Sequence, residues 1–111
     1  MIDPEVLVED AHALCALRGR FEELDYVCRR FQRGEKTVLG GVVQRLEGKS
    51  FEARRLAAYA DPEYCRYLGD WERAEKARMR AHIEFENREV LFEARQSVCA
   101  HQREAIKRGI A

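Results

Sequence analysis

Asp61-Pro62-Glu63-Tyr64 opens a stretch that meets no further proline up to Ala111. An Asp side chain can accept hydrogen bonds from the free N–H groups of a first helical turn. Proline has no N–H to leave unsatisfied there, and Glu complements the positive helix end. Beyond this start the apolar and charged residues keep a helical period, which predicts a helix over about residues 62–108. At 1.5 Å per residue such a helix is roughly 70 Å long. Gly69 is its one weak interior residue and the natural place for a bend.

The same tripeptide occurs once more, as Asp3-Pro4-Glu5, and these two segments hold both prolines of the chain. The helix it starts is expected over about residues 4–31. Leu7, Leu14, Leu17, Phe21, Leu24, Cys28 and Phe31 follow the heptad spacing of a helix lying along another helix, with Asp10 the interruption. Arg29, Arg30 and Arg33 suit a helix C-terminus, and Gly34 reads as the stop. Residues 34–60 then form a connector punctuated by Gly34, Gly40, Gly41 and Gly48. Within it Val38, Leu39, Val42, Val43 and Leu46 suggest one or two helical turns. Ser50 caps a short helix from Phe51 to Tyr59 that ends at Asp61-Pro62. The expected fold is all-α: one domain over residues 1–111, a long antiparallel helical hairpin with coiled-coil-like contacts and short connecting helices, alone or as a dimeric bundle.

Composition bounds the function. The 111 residues suffice for one domain with a modest core. Charged residues make up 36%, split into 20 basic and 20 acidic, so no net field draws the chain to nucleic acid or membrane. No signal-peptide pattern is present, and no apolar run approaches the ~20 residues of a membrane span. A cytoplasmic protein without membrane contact is therefore expected. Cys15, Cys28, Cys65 and Cys99 stand singly, which reads as reduced thiols rather than a disulfide framework.

On a helical wheel the last helix separates into four sectors. One carries Tyr64, Tyr67, Trp71, Ala74, Ala81, Phe85, Phe92 and Cys99, and its aromatic residues read as core against the first helix. A narrower apolar stripe lies roughly opposite, with Cys65, Met79, Ile83, Val90 and Ala94. Between them run a glutamate row (Glu75, Glu86, Glu93, Glu104) and an arginine row (Arg66, Arg73, Arg80, Arg88, Arg95). Two apolar stripes imply two packing partners. The second stripe is covered either by residues 38–59 folding back or by another copy of the chain, and a homodimer is the expectation because the long helix outruns the short one. The arginines span about 44 Å along one side. They suit phosphates, or a solvated face in which Asp70 pairs with Arg66 and Glu84 with Arg80 and Arg88.

Catalytic constellations are missing from the pattern. Gly40-Gly41 lacks the Lys-Ser/Thr of a phosphate loop. Cys99 and His101, two residues apart on a helix, point to different faces. His12 and Cys15 can share a face, but two ligands do not make a zinc site. No enzyme activity, metal or cofactor is expected.

Gly48-Lys49-Ser50-Phe51-Glu52-Ala53-Arg54-Arg55, Asp61-Pro62-Glu63-Tyr64, Ala74-Glu75-Lys76-Ala77-Arg78 and Phe92-Glu93-Ala94-Arg95-Gln96-Ser97 together resemble small helical proteins encoded by tailed bacteriophages and prophages. Those proteins place a glycine turn, a short helix and a tyrosine before a long charged helix. The resemblance covers about half the chain. It implies a phage accessory or inhibitor in a bacterial cytoplasm, acting on a recombination, replication or defence component. The expected function is thus a non-catalytic helical module that binds a host or phage protein. Its surface would lie around Arg80 to Arg95, with Val90 and Phe92 as apolar anchors. The alternative is a nucleic-acid-binding accessory using Arg66, Arg73, Arg80, Arg88 and Arg95, and a third reading is a structural phage component.

Overall fold

The computed structural model describes residues 2–48 and 50–109; Lys49, within the turn that carries the resemblance, lies outside them. The described residues are all-α, in three helices: α1 (Pro4–Arg45), α2 (Phe51–Ala58) and α3 (Pro62–Lys107). Both Asp-Pro-Glu starts form as capping physics dictates. Asp3 Oδ1 accepts from the Glu5 N–H and Asp61 Oδ2 from the Glu63 N–H, each at 2.9 Å. Ser50 caps α2 from an extended backbone, its hydroxyl accepting from the Ala53 N–H at 3.1 Å. Among the described residues no helix is long and apolar enough to cross a membrane.

The first helix corrects the sequence expectation. It does not stop near Phe31 and Gly34 but runs through Gly34, Gly40 and Gly41 to Arg45. Each interior glycine costs a helix about 1 kcal/mol. Against that, Val42 and Val43 are buried with Ala58 and Tyr64, and Val38, Leu39 and Leu46 pack onto them. Burying one such side chain contributes about 1.5–3 kcal/mol, so the burial outweighs three glycines. Gly34 also has a packing reason: a Cβ there would lie 2.9 Å from the Tyr67 hydroxyl oxygen. That hydroxyl donates to the Phe31 carbonyl.

Contacts divide the chain into two compact units. The tip unit, Glu23–Arg78, holds α2 and the segments of α1 and α3 on either side of it. Arg45 ends α1 and its Nη2 donates to Asp61 Oδ2 at 2.9 Å and Glu63 Oε2 at 2.8 Å, tying the end of one helix to the cap of another. Tyr64 donates to Glu35 Oε1 at 2.8 Å, which satisfies a carboxylate on the packed side of α1. Phe31 meets Tyr67 edge-on at 5.2 Å.

The terminal unit, Met1–Glu22 with Met79–Ala111, pairs the start of α1 with the end of α3. Phe21 packs on the His82 ring at 5.1 Å, Ala81 is fully buried, and the Ile2 N–H donates to Gln102 Oε1 at 3.1 Å. Asp10, which interrupts the heptad series, is 7% exposed and receives two hydrogen bonds from Arg95 Nη1, at 2.6 and 2.8 Å.

Candidate protein-interaction face

The five arginines of the row do not share one heptad position. Arg66, Arg73 and Arg80 stand seven residues apart and keep one heptad position, and all three are exposed. The next step is eight residues. It moves Arg88 and Arg95 onto the register of Tyr67, Ala74, Ala81 and Gln102, the residues that face α1. Arg95 is accordingly half-buried and committed to Asp10. Arg88 stays exposed at the edge of a notch of about 300 Å³ lined by Ala13, Ala16, Leu17 and Glu84. The expected pairs also change. Asp70 binds Arg73, three residues on, instead of Arg66. Among the described residues Arg66, Arg80 and Arg88 have no carboxylate within ion-pair distance, and Glu84 has no cation. Arg66 and Arg73 belong to the tip unit, while Arg80, Arg88 and Arg95 belong to the terminal unit.

The two apolar anchors separate in the same way. Phe92 shares the register of Trp71, Phe85 and Cys99 and is half-buried. Val90 points out and is 65% exposed. It lies in a row with Met79 (62% exposed), Ile83 (51%) and the exposed Ala94, four of the five residues of the second apolar stripe; the fifth, Cys65, is exposed in the tip unit. Of the two covers that the sequence offered for the stripe, residues 38–59 do not take this part of it. Residues 38–45 continue α1, α2 packs by Ala58 into the core with Val42 and Val43, and the stripe stays open. Glu86, Glu89 and Glu93, all exposed, border one edge of it, and Arg80 lies on the other. Only Glu86 of these glutamates has an intrachain partner among the described residues, His82 Nε2 at 2.7 Å.

One cluster escaped the sequence reading. Cys28 on α1 is buried beside Glu75 and Arg78 on α3. Arg78 binds Glu75 Oε2 through Nε at 3.2 Å and Nη2 at 2.9 Å, and its Nη1 lies 3.7 Å from Asp25. The Arg78 hydrogen bond holds the Glu75 carboxyl below its usual range. Burial, then the nearby Glu75 charge, pushes the Cys28 thiol up, so it stays protonated and is a poor nucleophile. The signal was available: Arg78 sits seven residues from Trp71 and from Phe85, on the buried register. Burial, reinforced by Glu35, pushes Tyr64 up to about 12, which makes its hydroxyl a lasting donor. Among the described residues no three His, Cys, Asp or Glu side chains converge as metal ligands, and the four cysteines are free thiols.

The arrangement thus offers a packed seam with internal polar pairs and, on the far side of α3, an apolar row with a carboxylate edge. No protein-family model, no curated protein and no solved structure matches this chain.

Proposed function

We propose that this protein is a non-catalytic helical module for protein–protein interaction, and that its contact surface is the outward face of α3 between Met79 and Ala94. One observation carries the reading: Met79, Ile83 and Val90 are each more than half exposed in a row, on a helix whose other side is already packed. A row of large apolar side chains left open on a charged helix marks an interaction site. A second copy of the chain and a foreign protein are its two classes of occupant. The likeness to small phage-encoded helical proteins directs the search toward host or phage components of recombination, replication or defence.

The test is capture of proteins from a nuclease-treated bacterial lysate by the tagged chain and by Ile83→Asp/Val90→Asp. The variant should lose the captured protein while circular dichroism shows the same helicity. Capture that persists in the variant sinks the reading. The nucleic-acid alternative keeps one supporting observation, the exposed Arg80 and Arg88 of the terminal unit, which have no carboxylate partner among the described residues. It predicts affinity for DNA that falls steeply with salt; weak binding indifferent to salt removes it.

A further inference from the structure

The outward face of α3 also states the chemistry of its occupant. Helical geometry sets the open row (Met79, Ile83, Val90, Ala94) beside Glu86 and Glu93, with Glu89 and His82 next outward. Glu89 and Glu93 have no cation within ion-pair distance among the described residues, so their charge is free to act on whatever covers the row. A second copy fits this edge badly. In an antiparallel two-fold pair like edges meet, so Glu86 and Glu89 of both copies face each other. In a parallel pair Met79, Glu86 and Glu93 share one heptad position and stack on their own mates, which puts carboxylate against carboxylate at the centre. Both arrangements bring carboxylates together while apolar area is buried.

We infer, resting on the interaction reading above, that this face takes a basic amphipathic helix of another protein. The partner's apolar row lies on Met79, Ile83 and Val90, and its Lys or Arg row runs along Glu86, Glu89 and Glu93. The two i,i+4 ridges, Met79–Ile83 and Val90–Ala94, provide the groove for the incoming side chains. Apolar contact supplies the affinity and the glutamate edge supplies the choice of partner.

The probe is a fluorescent leucine–lysine amphipathic peptide of about five turns, titrated against the full chain, with a leucine–glutamate peptide as its counterpart. The leucine–lysine peptide should bind. Glu86→Lys/Glu89→Lys/Glu93→Lys should weaken it at least about tenfold and gain the leucine–glutamate peptide. Glu9→Lys/Glu23→Lys/Glu47→Lys makes the same change in net charge on other exposed positions and should keep the original preference. Equal loss in both triple variants, or no peptide binding by the wild type, overturns the inference. So does self-association in sedimentation that Val90→Asp abolishes, because a second copy then covers the face. If the peptide fails but Ile83→Asp/Val90→Asp still loses its captured protein, the basic-helix inference falls and the interaction reading stands. If capture survives that variant, both fall.

Discussion

The two units solve the same problem with different material. In the tip unit Val42, Val43, Ala58 and Tyr64 form a buried cluster to which α2 contributes Ala58, and Cys28 is buried separately beside Glu75 and Arg78. In the terminal unit two segments face each other alone, and Ala81 and Asp10 are the residues buried among those described. Two helices can cover only the seam between them, so outward apolar residues stay open. The contrast teaches where stability and where binding reside. Few buried apolar contacts mean easier local opening, and the unit with the thinner core is also the one that carries the open row at Met79, Ile83 and Val90.

The largest effect is expected in the tip core. Tyr64→Ala removes a buried ring and its bond to Glu35 and should destabilise the chain by about 3–5 kcal/mol in urea unfolding. A loss below about 1 kcal/mol would mean the tip core is not what holds that unit. Next comes the buried pair of the terminal unit. Arg95→Met leaves the Asp10 carboxylate buried without a partner and should cost about 2–3 kcal/mol, while Asp10→Leu/Arg95→Met should recover most of it. If the double variant is no better than the single, Arg95 acts through its packing and not through the pair.

The glycines of α1 differ in what surrounds them. Gly40→Ala and Gly41→Ala meet no atom within 4 Å, so each should raise stability by about 1 kcal/mol. Gly34→Ala should lose stability because the new methyl meets the Tyr67 hydroxyl. A gain at Gly34 would contradict the close approach described there. One further effect appears only in alkali. Tyr64 is raised from 10.0 to about 12 in the folded chain, so the folded state favours the protonated phenol. That contribution is complete below pH 10 and is lost as pH rises toward 12. Unfolding followed by tyrosinate absorbance should show the loss, and Tyr64→Phe should flatten it.

The amino-acid sequence announces some of these features and hides others, for physical reasons. The caps at Asp3, Ser50 and Asp61 were legible because capping is local: an acceptor side chain and the next turn suffice. So α2 and α3 begin where the pattern placed them. The end of α1 was not legible. The glycine penalty is local, while the burial of Val42 and Val43 against Ala58 and Tyr64 depends on residues far along the chain. The open row of Met79, Ile83, Val90 and Ala94 could be read from a wheel. Within the arginine row a straight 3.6-residue wheel hides how a 3.5-residue seam turns Arg95 toward α1. Nor could a wheel show that Asp10, an apparent defect in the seam, is where Arg95 finds its partner.

Hydrogen exchange on the full chain, with and without the protein it captures, reads out directly whether the outward face of α3 is the contact surface. New protection is expected in backbone amides between Met79 and Ala94, with the tip unit unchanged. Protection confined to Glu23–Arg78, with the Met79–Ala94 amides unaltered, would contradict it.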